Sequence, residues 1–261
     1  MSSIGVIGRG HVGHHVIRQL SAHFAVVSYD LHDDGEYPLE ALAACDFALI
    51  CVDTPSLPDG SVDVSRVEAA ISQIPCDLVV IRSTVPPGTT ARLAKSTGKN
   101  VLFWPEYVGE TQFSASSWER FSATQPFIVL GGESEARKKV IDLLLPLYGP
   151  EVRVLQCSSD EAELVKYMEN SYFAAKVIFV NEFRDLSEKL GMNWHTVREG
   201  WLLDPRVERD HTVAFAEDRG FSGKCLPKDL AGILHVARQS GVPMTMLTAV
   251  QEANLAYRSE R

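Results

Sequence analysis

A glycine-rich turn near the N-terminus constrains the fold of this chain more than any other stretch of its sequence. Residues 4–7 suit a short buried strand, residues 8–13 have the sequence GRGHVG, and residues 16–20 continue in a helical pattern. In such a unit the first glycine allows a tight turn, the second lets a pyrophosphate approach the backbone, and the third lets the helix pack on the strand. The helix N-terminus attracts negative charge. We therefore predict that a dinucleotide binds at Gly8, Gly10, His11, Val12 and Gly13.

A second apolar run, residues 25–29, ends in Asp30. An acid at about this distance from the glycine turn accepts hydrogen bonds from the adenosine ribose and repels the 2′-phosphate of NADP, so the predicted cofactor is NAD. The alternative is a glycine-rich turn that binds nothing. The strand, the helix and the acid in this order favour the dinucleotide.

Short apolar runs alternate with helical patterns up to residue 157, and only helical patterns follow. The alternation predicts an α/β fold with a Rossmann-like doubly wound parallel sheet. We expect two domains, an NAD-binding domain at residues 1–157 and an all-α domain with a long central helix at residues 158–261. With 45% hydrophobic residues, a chain of 261 residues can build both cores.

Ser158 and Glu161 form a capping-box pattern, and apolar residues recur every three or four positions from there to Gly191. The pattern predicts a single helix over residues 159–190, roughly 45 Å long at about 1.5 Å per residue. A helix of this length suits a homodimer interface, although a core helix of the second domain is the plainer interpretation. Lys166 and Asn170 lie four residues apart and so share one side of the helix.

Polar residues follow several predicted strands, and the carboxyl ends of strands are where parallel α/β folds bind ligands. Thr54 and Pro55 follow the third strand, and Ser83 and Thr84 follow the fourth. We expect these four residues to contact the cofactor. The hydroxyl of Ser83 could instead satisfy local backbone groups, which is a common role for hydroxyls.

Two acidic residues, Glu106 and Glu110, follow the predicted fifth strand. A pair of carboxylates can carry out acid–base chemistry. Their spacing alone favours the plainer interpretation, in which both are solvated loop charges. Lys166 alone would likewise be interpreted as an ordinary exposed lysine on a helix.

The stretch GFSGKCLPKD, residues 220–229, contains a single thiol among residues that favour its reactivity. Its small residues let a ligand approach the backbone, and its proline suits the first turn of a helix, so Cys225 is predicted at a helix N-terminus. The helix dipole, Lys224 and Lys228 should favour the thiolate, which is the nucleophilic form. The plainer alternative is a small buried cysteine before an ordinary helix.

The overall charge argues against two classes of partner. A net charge of -9 and a pI near 5.4 disfavour nucleic acid and anionic membranes, since both attract basic surfaces. We find no leader pattern and no apolar run long enough to cross a bilayer. The five cysteines are odd in number and lack metal-ligand spacing, so we expect reduced thiols, no metal, a cytoplasmic location and a small-molecule substrate.

Seven motifs follow one another along nearly the whole chain: VIGRGHVG (6–13), CVDTPSLPDGSVD (51–63), RSTVPPGT (82–89), PEYVGE (105–110), EAELVKYMENSYFAAKVIFVNEF (161–183), DPRV (204–207) and GFSGKCLPKD (220–229). In this order they resemble the motifs of the UDP-glucose/GDP-mannose dehydrogenase family. The resemblance implies an NAD-dependent enzyme that oxidises the primary alcohol of a nucleotide sugar to a carboxylate in two steps, with two NAD molecules and one cysteine.

The resemblance also implies roles for individual residues. Cys225 is similar to the nucleophile that traps the aldehyde as a thiohemiacetal, which is then oxidised to a thioester. Lys166 and Asn170 resemble the pair that stabilises the oxyanion. Asp229, Glu106 and Thr84 resemble the groups that position or activate water, and Glu110 resembles an acid beside the nicotinamide. The implied substrate contacts are Glu106, Tyr107, Lys166, Asn170, Gly220, Phe221 and Gly223.

The sequence departs from the family pattern at several points. Family members usually carry a C-terminal UDP-binding domain, so the resemblance implies a short form without it. Asp53, Trp104 and Lys224 stand where the family favours a small, a polar and a small residue, and the segment between Asp30 and Cys51 is shorter. These departures leave the substrate open between a nucleotide sugar and a nucleoside.

Two alternative functions remain open. A 3-hydroxyacid dehydrogenase shares the two-domain layout and a lysine–asparagine pair on a long helix, but it needs no cysteine. A non-catalytic NAD-binding subunit would complete its pocket with a partner chain. Against the second alternative, the chain combines more reactive groups than binding requires, namely Cys225, Lys166, Asn170, Asp229, Thr84 and Glu106.

Overall fold

The computed structural model describes residues 2–33, 35–108 and 127–259. By its internal contacts the chain divides into two compact units, Met1–Leu57 with Val62–Lys166 and Pro58–Ser61 with Tyr167–Arg261. The first unit contains the sheet, and the second is helical. The predicted division into domains at residues 1–157 and 158–261 stays a prediction.

The first unit is built on a seven-stranded sheet in the order β2-β1-β3-β4-β5-β6-β7. Its strands are β1 (Ser3–Ile7), β2 (Ala25–Tyr29), β3 (Phe47–Ile50), β4 (Leu78–Ile81), β5 (Asn100–Phe103), β6 (Phe127–Gly131) and β7 (Arg153–Cys157). Because β1 lies between β2 and β3, the strand order changes direction there. The carboxyl ends of β1 and β3 are therefore the switch point at which sheets of this kind bind ligands.

The predicted doubly wound α/β fold is confirmed, with one departure from an all-parallel sheet. Every neighbouring pair of strands is parallel except β5 and β6, which run antiparallel where Phe103 pairs with Gly131. The apolar pattern of β6 indicates a strand but carries no information about the direction of its neighbour. The departure lies away from the β1–β3 switch point.

The described residues contain nine helices. They are α1 (His11–Leu20), α2 (Leu39–Ala43), α3 (Ser65–Gln73), α4 (Thr89–Thr97), α5 (Ser134–Tyr148), α6 (Ser159–Lys189), α7 (Trp194–Trp201), α8 (Leu226–Gln239) and α9 (Thr245–Ser259). The predicted long helix is α6. Within the described ranges, none of these helices combines the length and apolar character needed to cross a membrane.

Strand side chains alternate between the two faces of the sheet. Leu49 and Val80 belong to an apolar cluster with residues of α1 and α5, and the next residues, Ile50 and Ile81, belong to a cluster with residues of α3 and α4. Helices therefore cover both faces. This arrangement explains why the central strands are apolar without interruption.

The core of the second unit joins α6, α8 and α9. Ile178 of α6 packs in one cluster with Leu230 and Leu234 of α8 and Val250 of α9. The helical periodicity of the sequence after residue 158 thus reflects burial of one face of each helix. Helix α8, which follows the predicted nucleophile, is held firmly by this core.

The capping box predicted before α6 is confirmed. The Ser158 N–H donates to Glu161 Oε2 at 2.8 Å, and the Glu161 N–H donates to Ser158 Oγ at 3.3 Å. These two bonds satisfy backbone donors that have no partner within the helix. The start of α6 is therefore fixed by local sequence.

Candidate functional site

The turn between β1 and α1 has the backbone geometry that a dinucleotide requires. Gly8 has a φ of +93°, in the left-handed region that favours glycine. A Cβ on Gly13 would lie 1.9 Å from the Gly8 carbonyl oxygen, so only glycine lets α1 pack this closely. Gly10, the N-cap residue of α1, has nothing within 4 Å of its Cβ position. The helix N-terminus, which starts at His11 and Val12, is thus suited to a pyrophosphate.

Asp30 follows β2 as predicted and is fixed by two backbone donors. Its Oδ2 accepts the Arg9 N–H at 2.6 Å and its Oδ1 accepts the His32 N–H at 3.0 Å. The hydrogen bond from Arg9, followed by that from His32, lowers the pKa of the Asp30 carboxyl. An ionised carboxylate here suits ribose hydroxyls and repels a 2′-phosphate. The glycine turn and Asp30 therefore fit NAD.

Two glycine substitutions separate cofactor binding from folding. Gly10→Ala adds a methyl group in open space, so we expect a stable protein whose NAD affinity falls roughly 30-fold, about 2 kcal/mol, because the methyl group meets the pyrophosphate. Gly13→Ala should instead lower the free energy of unfolding by about 1–3 kcal/mol through overpacking. Calorimetric titration with NAD and urea denaturation measure the two effects. A Gly10→Ala protein that binds NAD normally would contradict the assignment.

Ser83 and Thr54 connect the ends of β3 and β4. The Ser83 hydroxyl donates to the Val52 carbonyl oxygen at 2.5 Å, and the Thr54 hydroxyl donates to the Thr84 carbonyl oxygen at 2.9 Å. Both side chains are buried, whereas Thr84 is half-buried and Pro55 is exposed. The hydroxyls of Ser83 and Thr54 therefore hold the loops in place, and contact of these four residues with the cofactor stays a prediction.

Glu106 and Lys166 form a buried ion pair in the first unit. Lys166 Nζ lies 3.4 Å from Glu106 Oε1, with side-chain exposures of 5% and 8%. The ammonium also lies 5.4 Å from the centre of the buried Tyr107 ring. The plainer interpretations, a solvated loop acid and an ordinary exposed lysine, are therefore wrong for these two residues. Sequence spacing could not reveal burial that depends on residues 60 positions apart. Glu110 lies outside the described residues.

The charge state of Glu106 is set by its surroundings. Burial opposes ionisation, but Lys166, the Val108 N–H and Arg82 together outweigh it and lower the pKa of the carboxyl. The Val108 N–H donates to Glu106 Oε2 at 2.7 Å. Arg82 was part of a recognised motif but was not expected in the site. Glu106 is thus a buried carboxylate that can accept a proton.

Asn170 and Asp229 meet in the second unit. Both side chains are buried, and Asn170 Nδ2 donates to Asp229 Oδ2 at 2.5 Å. Lys228 Nζ donates to the other carboxylate oxygen at 2.5 Å. Lys228 was expected to favour the thiolate of Cys225, but its charge is balanced by Asp229 instead. The sequence does not predict this pairing, because adjacent residues along a helix do not usually face each other.

Cys225 is the N-cap residue of α8, with proline in the first turn as predicted. Its thiol is half-buried, and none of the five cysteines is in a disulfide. Burial raises the pKa of Cys51 to about 12 and that of Cys76 to about 11, which makes those thiols poor nucleophiles. Lys224 is exposed beside Cys225. Position at a helix N-terminus thus distinguishes Cys225 from the buried cysteines.

The residues before Cys225 have structural contacts of their own. The Phe221 ring packs in the core of the second unit, and its N–H donates to Asn254 Oδ1 at 2.7 Å. A Cβ on Gly220 would lie 2.5 Å from the same oxygen. Gly223 has a φ of +84°, which favours glycine there. Substrate contacts at Gly220, Phe221 and Gly223 stay predictions.

Glu163, one turn before Lys166, caps a helix from a distance. Its carboxylate is fully buried and accepts hydrogen bonds from the Gly88 N–H at 2.7 Å, the Thr90 N–H at 2.8 Å and the Thr90 hydroxyl at 2.6 Å. Gly88 is the N-cap residue of α4 and has no side chain to fill this role. Glu163 therefore connects α6 with the loop that carries Thr84.

Glu163 should make stability depend on pH. Burial raises its pKa to about 7 from the usual 4.5, despite its bonds to Thr90 and Gly88. The folded chain thus binds the proton more tightly than the unfolded chain does. The contribution of Glu163 to the free energy of unfolding declines, by on the order of 3 kcal/mol, as the pH rises from about 4.5 to about 7.

Urea denaturation at several pH values measures this dependence. In Glu163→Gln the decline should vanish, because glutamine does not titrate. Glu161→Gln on the same helix is the matched control. Glu161 is exposed and its pKa is lowered by bonds from Ser158, so its contribution is lost only as the pH falls through its acidic range. The same decline in wild type and Glu163→Gln would overturn the assignment.

No group of histidine, cysteine, aspartate and glutamate residues suited to a metal ion occurs in the described part of the chain. The acids described above are instead positioned by hydrogen bonds and ion pairs. A thiol and carboxylates are the kinds of group that can act as nucleophile and proton acceptors without a metal.

The fold and the glycine turn define a dinucleotide-binding α/β protein, with a half-buried cysteine at the N-terminus of α8. Residues 36–148 match the NAD binding domain of the UDP-glucose/GDP-mannose dehydrogenase family, and residues 160–256 match its central domain. The chain belongs to the UDP-glucose/GDP-mannose dehydrogenase family, and its cofactor is NAD.

Individual relatives agree with this assignment. The chain is 31% identical over 220 residues to UDP-glucose 6-dehydrogenase of Rickettsia typhi, covering 80% of this chain and 49% of the relative. It is 32% identical over 231 residues to UDP-glucose 6-dehydrogenase of Pseudomonas aeruginosa, covering 82% and 49%. A solved UDP-glucose dehydrogenase from Pyrobaculum islandicum matches with a TM-score of 0.83 at 30% identity, covering 98% of this chain and 68% of that one. The chain spans about half the length of the curated relatives it matches.

Proposed function

We propose that this protein is an NAD-dependent oxidoreductase of the nucleotide-sugar 6-dehydrogenase type, which oxidises a primary alcohol to a carboxylate. The observation that carries the proposal is the position of Cys225, half-buried at the N-terminus of α8, with the buried Asp229 in the following turn. A thiol in this position can form a covalent intermediate with an aldehyde. The names of the relatives support the same reaction.

The chain's own residues would carry out the steps between and after the two oxidations, and bound NAD would accept the hydrides of those oxidations. The Cys225 thiolate attacks the aldehyde carbon, and the oxyanion that forms is stabilised by the Lys166 ammonium and the Asn170 amide. Oxidation of this thiohemiacetal gives a thioester. Water then attacks the thioester carbon, the carbon–sulfur bond breaks, and the thiolate is restored. Glu106 and Asp229, assisted by Thr84, would hold that water and accept its proton.

The substrate of the proposed reaction is a nucleotide sugar or a nucleoside. The two-electron 3-hydroxyacid alternative is not favoured, because both matched domains are those of the nucleotide-sugar family. The test is to incubate the purified chain with NAD and a panel of nucleotide sugars and nucleosides and to identify the products. Formation of a carboxylate supports the proposal, and inactivity cured only by a partner chain supports a binding subunit instead. A cytoplasmic location stays a prediction.

A homodimer through α6 is part of the proposal. Large apolar side chains are exposed along α6 and at the residue that follows it, at intervals of three, four and seven residues: Met168, Tyr172, Phe179, Phe183, Leu186 and Leu190. Met168 is 75% and Leu190 59% exposed. Such a continuous apolar stripe matches the self-complementary interface of a symmetric dimer.

Charges placed in this stripe should separate the dimer. In a Met168→Glu/Phe183→Glu variant, four acids meet across the symmetric interface, so we expect the dissociation constant to rise at least about 100-fold. Sedimentation analysis over a range of concentrations measures it. Leu203→Glu, at an 84% exposed position outside α6, is the control and should leave assembly unchanged. A monomeric wild type, or a dimer that tolerates both charges, would rule out this interface.

A further inference from the structure

Arg82 is a buried cation that contacts the backbone immediately before Glu106. It follows β4, is 3% exposed, and donates through Nη1 to the carbonyl oxygens of Trp104 at 3.1 Å and Pro105 at 2.9 Å. Its guanidinium carbon lies 4.0 Å from the centre of the Trp104 ring. One side chain thus binds both residues that precede Glu106.

The surroundings of Arg82 are unusual for a buried charge. Buried cations are normally paired with an acid, because desolvation is costly. Among the residues that the structure describes, Arg82 has no salt bridge, and its Nε has no hydrogen-bond partner. Two carbonyl dipoles and an indole face hold it instead. Such an arrangement leaves the positive charge available to act on a nearby carboxylate.

We propose that Arg82 is a positioning residue for Glu106: it fixes the backbone that carries this carboxylate and supplies a second buried positive charge beside that of Lys166. The importance of the Glu106 position for catalysis rests on the proposed function, in which Glu106 accepts a proton from water. Trp104, which stands where the family commonly has a polar residue, provides the stacking surface. The stacked pair is therefore a feature of this chain.

The electrostatics around Glu106 agree with the geometry. Burial opposes its ionisation, and Lys166 of α6, the Val108 N–H and Arg82 reverse that effect, so that its pKa is lowered. The Glu106 charge also acts on two other described titratable groups, since it favours the protonated forms of His15 of α1 and of the Cys51 thiol after β3. Burial and the charge of Arg82 lower the pKa of His15, which disfavours its cationic form, and a thiol has no cationic form. Among the described residues, Lys166 and Arg82 are therefore the cations that balance Glu106.

The first test measures Glu106 without turnover. The side-chain carboxyl carbon of Glu106 is followed by NMR as the pH changes, with Glu106→Gln to assign its signal. In Arg82→Gln we expect the proton affinity of Glu106 to rise at least about tenfold, about one pKa unit, because one cation is lost. In Arg82→Lys, which keeps the charge, it should stay within about twofold of wild type. An unchanged titration in Arg82→Gln would overturn the proposal.

The second test uses Arg82→Lys, so it remains possible if Arg82→Gln fails to fold. Lysine cannot reproduce the planar guanidinium, so Arg82→Lys should loosen the segment before Glu106. The amide of Val108, which donates to Glu106, should then exchange with solvent about tenfold faster, while amides of α8 in the other unit keep their rates. Unchanged exchange at Val108 would overturn the proposal. Turnover is assayed separately, so an inactive wild type would refute only the proposed function.

Discussion

Cys225→Ser should abolish formation of the carboxylate while leaving the fold intact. Serine is close to cysteine in size and the position is half-buried, so stability should change little. A serine hydroxyl is not ionised at neutral pH and captures an aldehyde far less readily than a thiolate does. We expect the rate of carboxylate formation to fall at least about a thousandfold, as is typical when a nucleophile is removed.

Mass-spectrometric identification of the product measures this effect, and any product that remains should be the aldehyde. Cys157→Ser is the matched control, because Cys157 is also a half-buried thiol but is the last residue of β7 and not the N-cap residue of a helix. It should retain full activity. Carboxylate formed by Cys225→Ser at a rate near that of wild type would exclude the covalent mechanism.

Lys166→Met should have the largest combined effect on stability and activity. It leaves the Glu106 carboxylate buried without its closest cation, which typically costs about 3–5 kcal/mol of unfolding free energy. It also removes a donor to the proposed oxyanion, which should lower kcat about 100- to 1000-fold. Urea denaturation and steady-state kinetics measure the two effects separately.

A second variant separates these two roles of Lys166. In Lys166→Met/Glu106→Gln the uncompensated charge is gone, so most of the lost stability should return. Activity should stay low, because neither the cation nor the carboxylate is restored. If the single variant were as stable as wild type, the buried ion pair would be refuted. If the double variant regained activity, the oxyanion role would be refuted.

The local features of this chain were predictable from its sequence. The glycine turn, the capping box of Ser158 and Glu161, and the start of α8 after Cys225 each depend on residues close together in the chain. Backbone geometry and helix capping act over such short distances, so a sequence pattern is enough to identify them. The long helix was predictable for the same reason, because its apolar period repeats many times.

The buried polar contacts were not predictable in the same way. Glu106, Lys166 and Glu163 each look like ordinary surface charges in the sequence, yet all three are buried against partners far away in the chain. Only the family resemblance indicated roles for Glu106 and Lys166. Arg82 and Glu163 lie within the family motifs, but nothing in the sequence indicated a role for either, since their contacts depend on which loops the fold brings next to them.

The most direct test of the central claim is the number of NADH molecules formed for each nucleotide-sugar molecule consumed by the wild-type chain. The covalent mechanism at Cys225 predicts two NADH and a carboxylate product, with at most one NADH in Cys225→Ser. A ratio of one in both proteins, with no carboxylate, would contradict that mechanism and identify a simple two-electron dehydrogenase.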